Sequence, residues 1–128
     1  MSETDDATER LARAWGQVGH LEAVVNTPEL RAVYNETLPA VTRFWSSLGQ
    51  NLALFAQYRR LADAPGFAGC DEARRKVVEN ALRDFRLGGA ELPPAQKKRY
   101  AEIQEELARL SAKFSENVLD ATNAFGVL

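Results

Sequence analysis

Pro94-Ala95-Gln96-Lys97-Lys98-Arg99-Tyr100-Ala101-Glu102-Ile103-Gln104-Glu105-Glu106-Leu107-Ala108-Arg109-Leu110-Ser111-Ala112-Lys113-Phe114-Ser115-Glu116-Asn117-Val118-Leu119-Asp120-Ala121-Thr122-Asn123-Ala124-Phe125 is the stretch whose reading decides the fold. Its apolar side chains recur at Tyr100, Ile103, Leu107, Leu110 and Phe114, then at Val118, Ala121 and Phe125. Steps of three and four residues put them in one stripe along a single helix, with one change of phase near Phe114. The opposite face carries Lys98, Arg99, Glu102, Glu105, Glu106, Arg109 and Lys113. Lys98 with Glu102 and Glu105 with Arg109 are spaced to meet on that wet face. A helix of this length spans about 45 Å. The other helices are therefore expected to pack along it, with Phe114 buried where the phase changes.

Working back towards the N-terminus, the chain reads as four more helices. Thr4–Val25 is the first, with an inner stripe of Leu11, Ala14, Trp15, Val18, Leu21 and Val25 interrupted by Glu22. Gly16 and Gly19 weaken it by about 1 kcal/mol each relative to alanine. Thr27 suits an N-cap, Pro28 the first helical position, and Glu29 complements the helix dipole. The second helix runs from there to about Leu48 through Leu30, Val33, Tyr34, Leu38, Val41, Phe44, Trp45 and Leu48. Pro39 lies inside this pattern and removes the bond to the carbonyl of Asn35, so a kinked but continuous helix is predicted.

Gly49-Gln50-Asn51 forms a corner. A third helix follows from Leu52 to about Asp63, using Phe55, Tyr58 and either Leu61 or Ala62. The loop Ala64–Cys70 holds one proline and two glycines. Asp71 is a good N-cap for a fourth helix with Val77, Val78, Ala81, Leu82 and Phe85 on its inner side. Gly88-Gly89 stops that helix, and Leu92-Pro93-Pro94 starts the long one. The fold class is all-α, an irregular bundle of about five helices packed on the C-terminal one, in a single helical domain spanning residues 1–128.

Composition bounds the function. The chain has 128 residues, 45% apolar and 27% charged, with a net charge of -2. That balance gives no electrostatic footprint for nucleic acid or an anionic membrane, so neither is expected as a partner. The short basic clusters Arg59-Arg60, Arg74-Arg75-Lys76 and Lys97-Lys98-Arg99 each have acids close by and read as solvated helix faces. The single cysteine, Cys70, forms no internal disulfide and fits a reducing, cytoplasmic setting. No run approaches the length of a membrane-spanning helix. The acidic start Met1–Asp6 is unlike a signal peptide.

Three stretches together resemble the N-terminal helical region of the oligopeptidase A group, in the thimet oligopeptidase family of zinc metallopeptidases. One is His20-Leu21-Glu22-Ala23-Val24-Val25-Asn26-Thr27-Pro28-Glu29-Leu30-Arg31, with Tyr34-Asn35 and Leu38-Pro39 after it. Another is Asn80-Ala81-Leu82-Arg83-Asp84-Phe85-Arg86-Leu87-Gly88-Gly89 with Leu92-Pro93. The last is Phe114-Ser115-Glu116-Asn117-Val118-Leu119-Asp120-Ala121-Thr122. The resemblance implies a parent zinc endopeptidase that cleaves short peptides, in which these helices form one side of a deep channel. It also implies that the chain partners the catalytic domain missing here, and the apolar ending Phe125-Gly126-Val127-Leu128 is read as a cut within a longer protein.

The residues argue that this piece carries neither zinc nor catalysis. Family members place two histidines four apart on a helix with a glutamate between them, in the form His-Glu-Phe-Gly-His, and a further acid downstream. Here His20 stands alone, so no catalytic, cofactor-binding or metal residue is assigned. His20 reads either as a pH-sensitive or substrate-touching group or, more simply, as the edge of the first helix's packing face. Cys70 has no activating neighbour in sequence. Glu105, Glu106, Glu116 and Asp120 lack the Glu-x-x-His pairs of a di-metal bundle and read as solvated acids. Asn117, Asp120 and Thr122 either bond to a missing domain or cap local backbone. The rival functional reading is a stand-alone helical module that binds a partner helix in a groove. A coiled-coil dimer through the last helix is weaker, because the strict heptad lasts about two repeats where three or four are usual.

Overall fold

The computed structural model describes residues 2–126, with side chains from Thr8 onward. Five α-helices follow one another: α1 Ser2–Val24, α2 Pro28–Gly49, α3 Leu52–Ala62, α4 Glu72–Leu87 and α5 Pro94–Ala124. A single 3₁₀ turn, Phe67–Gly69, lies between α3 and α4. There is no strand among the described residues.

Local chemistry sets the helix ends. The Thr27 hydroxyl accepts the Leu30 amide at 3.2 Å, and Pro28 opens α2. The Asn51 and Asp71 side chains cap α3 and α4 by accepting the amides of Leu54 and Arg74. Each cap satisfies a backbone donor that the first helical turn leaves open. α2 runs without interruption through Pro39, as its periodicity predicts.

The helices form two compact units. The first comprises residues 1–39 and 107–128, and the second residues 40–106. α2 and α5 each run through both, the division falling at Pro39 and just before Leu107.

The second unit has an aromatic core. Phe55 and Phe85 are buried with Ala90, and Leu54, Tyr58 and Leu82 pack against them. The Phe55 and Phe85 rings lie 5.7 Å apart, and Tyr58 sits 5.6 Å from Phe85. Val41 and Val78 are also buried. Gly88 caps α4 where it meets the end of α2. A Cβ there would come within 3.2–3.3 Å of the Gly49 backbone, which explains a small residue at that contact. Gly89 follows with φ +87°, a left-handed conformation that glycine adopts without strain.

The first unit departs from the expected packing. Phe114 is 69% exposed, not buried. Leu107, Leu110, Val118 and Phe125 on the same stripe are exposed too, and so is Ile103 in the second unit. The face of α5 turned into the first unit is instead Ala108, Ala112, Glu116 and Leu119, again at helical spacing. Glu116 and Asp120 on this side reach polar partners on α2. The apolar stripe identified the helix correctly but not the face used inside this chain.

A similar rotation holds in α1, where Leu11, Trp15, Val18 and Glu22 turn inward while Leu21 and Val25 stay exposed. In α2, Val33 and Phe44 are likewise exposed while the rest of the expected stripe is covered. Val127 and Leu128, read from sequence as part of an apolar tail, lie outside the described residues.

Candidate functional site

The buried centre of the first unit is polar. Its two most enclosed described residues are Glu22 at 5% and Glu116 at 3% exposure. Buried carboxylates are costly unless their oxygens find donors, so the cluster around them must supply those donors.

The chain builds the cluster from the corner between α1 and α2. Asn26 ends α1 with φ 40°, a left-handed conformation that asparagine tolerates better than most residues. From there its amide nitrogen donates to Glu22 Oε1 at 2.8 Å, and its Oδ1 accepts from Arg31 Nε at 2.6 Å. Arg31 stands one turn into α2. Its two terminal nitrogens donate to the two carboxylate oxygens of Asp120 at 2.9 and 2.7 Å, a paired fork-to-fork contact. One turn further along α2, Asn35 donates to Glu116 Oε1 at 2.6 Å. Lys113 Nζ approaches Glu116 Oε2 at 3.6 Å, and Arg31 Nε lies 3.9 Å from Oε1. Asp120 and Glu116 are four apart on α5, matching Arg31 and Asn35 four apart on α2, so two successive rungs join the helices.

The electrostatics follow from these contacts. The hydrogen bond from Arg31, then its charge and that of Lys113, hold the Asp120 carboxyl below the usual carboxylate range against partial desolvation. Asp120 in turn raises the Arg31 guanidinium above its usual value. Beside the cluster, Trp15 stacks on Tyr34 with ring centroids 4.8 Å apart and planes 9° from parallel. Burial pushes the Tyr34 phenol up, and the charge of Glu22 adds to it.

A cleft of about 440 Å³ opens onto the cluster, lined by Asn26, Pro28, Arg31, Ala32, Asn35 and Asp120. Three N–H groups of Arg31 are engaged by Asp120 and Asn26, so the geometry ties the α1–α2 corner and α5 together. No group of three or more His, Cys, Asp or Glu is placed to hold a metal among the described residues. His20 is exposed on α1, and the Cys70 thiol lies 3.7 Å from the carbonyl of Gly66.

The acidic and polar residues singled out on α5 fare unevenly. Glu116, read as a solvated acid, is among the most buried side chains. Glu105 pairs with Arg43 at 3.2 Å in the second unit. Asp120 bonds across to α2, whereas Thr122 caps local backbone by donating to the carbonyl of Val118 at 2.8 Å. Sequence reasoning missed Arg31, Asn26 and Asn35 as a unit. The available signal was that all of them, with Glu22, Glu116 and Asp120, fall inside the first and last family-like stretches.

An all-α fold whose first unit is stapled by this cluster, with the first and last family-like stretches meeting at it, points to a helical domain of the oligopeptidase type. Residues 2–99 match the family described as Neurolysin/Thimet oligopeptidase, N-terminal domain, and the chain belongs to that family. It is 43% identical to oligopeptidase A of Escherichia coli strain K12 over 122 residues, which is 95% of this chain and 18% of that protein. It is 42% identical to oligopeptidase A of Haemophilus influenzae over 95% of this chain and 18% of the relative. A probable cytosolic oligopeptidase A of Arabidopsis thaliana is 38% identical over 91% of this chain and 17% of its own length. The chain thus spans about a fifth of the curated relatives it matches.

Proposed function

We propose that this chain is the non-catalytic N-terminal helical region of an oligopeptidase A-like zinc metalloendopeptidase that degrades short peptides. In that reading its helices form part of the wall of the substrate channel. The partners are short peptides and the catalytic domain of the same polypeptide, and the setting is the cytoplasm. The observation that carries the proposal is the 43% identity to an oligopeptidase A along 95% of the chain. Two features support it further. No helix among the described residues is long and apolar enough to cross a membrane, and one relative is named cytosolic. Zinc would be held by residues outside this chain, because a hydrolytic site needs about three protein ligands and His20 stands alone. Within the first unit, Arg31, Asn35, Glu116 and Asp120 hold α2 and α5 in register, which keeps a wall surface fixed while peptides pass.

The test is a fluorogenic-peptide assay on the 128-residue chain and on the same chain extended through the parent's reading frame. The short chain is expected to be inactive with or without added zinc. The extended protein is expected to cleave short peptides and to lose that activity to a chelator. Chelator-sensitive cleavage by the short chain would overturn the assignment. An extended protein with neither zinc nor peptidase activity would leave the stand-alone interaction module as the better account.

A further inference from the structure

The exposed stripe of α5 within the first unit is an unusual surface. Leu107, Leu110, Phe114, Val118, Ala121 and Phe125 follow one another at steps of three and four residues, and every one is exposed. Phe114 is 69% and Phe125 78% exposed. Near the end of the stripe, Val118, Ala121, Thr122 and Phe125 form an open, mostly apolar surface on one side of the helix. Contiguous apolar surface of this kind marks an interaction site when a definite partner is available. Within the first unit this stripe is left open, since α5 turns Ala108, Ala112, Glu116 and Leu119 inward.

We propose that this stripe seats the remaining four-fifths of an oligopeptidase A-length polypeptide. The inference rests on the reading under Proposed function and adds the face through which this region joins its parent. Two observations choose this occupant. The relatives match nearly the whole chain yet are about five times as long, so a large polypeptide accompanies this segment in each of them. A second copy of the chain fits less well. The phase of the stripe breaks after Phe114, where the step from Phe114 to Val118 follows the step of four from Leu110. A two-helix seam needs about three or four unbroken heptads.

The experiment uses two proteins. One is the 128-residue chain. The other is Escherichia coli oligopeptidase A with its matching stretch replaced by this chain. Each is made unsubstituted and with Phe114→Lys, Leu110→Lys or, as a control off the stripe, Ala124→Lys. In the short chain, Phe114→Lys and Leu110→Lys are expected to leave helicity and melting unchanged while binding of an apolar dye falls several-fold. In the chimera, the same changes place a charge in an apolar seat. The segment should then be cut by an added protease about tenfold faster or more, because cleavage follows the population of the opened form. Ala124→Lys should leave the cutting rate unchanged.

Stripe-substituted chimeras as protected as the unsubstituted one would overturn the proposal. So would an unsubstituted chimera that fails to fold, since the seat would not fit. A short chain that sediments as a dimer and becomes a monomer on Phe114→Lys would assign the stripe to a second copy instead. A chimera whose protection depends on the stripe but which cleaves no peptide would support the seat and sink the peptidase reading. The two conclusions therefore fail separately.

Discussion

Replacing Glu116 by alanine should damage this chain far more than replacing Phe114, two residues away. The order is the reverse of what side-chain hydrophobicity suggests. Glu116 is 3% exposed and accepts the Asn35 amide at 2.6 Å. Asn35 is itself exposed and can bond to water once Glu116 is gone, so only the net worth of the hydrogen bond is lost, about 1–1.5 kcal/mol. The hole left by the side chain adds to the cost. Asp120 still neutralises Arg31, so the full 3–5 kcal/mol of an orphaned buried charge does not apply. The sum for Glu116→Ala is about 1.5–2 kcal/mol.

Phe114 keeps only about a third of its surface covered. A fully buried phenylalanine is worth about 1.5–3 kcal/mol, so its covered part contributes about 0.5–1 kcal/mol. Alanine recovers several tenths of a kcal/mol in helix propensity, leaving Phe114→Ala at about 0.5 kcal/mol or less. The assay is urea unfolding followed by fluorescence in a Trp45→Phe background. Trp15, stacked on Tyr34, then reports the first unit alone. An Asn35→Ala/Glu116→Ala double-mutant cycle should give a coupling of about 1 kcal/mol. Equal losses for Glu116→Ala and Phe114→Ala, or a larger loss for Phe114→Ala, would refute the assigned rotation of α5.

Three further outcomes follow from the same contacts. Asp120 has a depressed folded pKa, so its stabilisation is present above the unfolded value near 3.8 and is lost as pH falls through the lower folded value. Asp120→Asn should flatten the acid side of a stability–pH curve without introducing a new titration. Tyr34 has a raised folded pKa, so its stabilisation is complete below the unfolded value of 10.0 and is lost as pH rises through the higher folded value. Tyr34→Phe should flatten the alkaline limb, checked by melting temperature across that range. In the second unit, Phe55→Ala should cost about 3 kcal/mol, because Phe55 is 4% exposed against Phe85 and Ala90. Fluorescence of Trp45 in a Trp15→Phe background is the readout.

What the sequence determined by itself is the set of helices and where each one starts and stops. Those features depend on interactions within a few residues. Thr27 and Asp71 cap their own first turns, Pro28 and Pro94 open helices, and Gly88-Gly89 closes α4. The continuous α2 through Pro39 was legible because apolar periodicity persists on both sides of it. The family-like stretches were legible too, but not the meeting of the first with the last.

Only the tertiary structure decided which face each helix presents. Periodicity locates an apolar stripe, yet it cannot say whether that stripe meets this chain or another surface. On α5, the pairing of Glu116 and Asp120 with α2 sets the rotation and leaves Leu107, Leu110 and Phe114 open. The Arg31–Asp120 fork joins residues 89 positions apart, beyond the reach of any local pattern. Burial likewise turned Glu116 from an apparent surface acid into an enclosed acceptor. A carboxylate can be enclosed only where donors converge on it, and that convergence exists only once α1, α2 and α5 have packed.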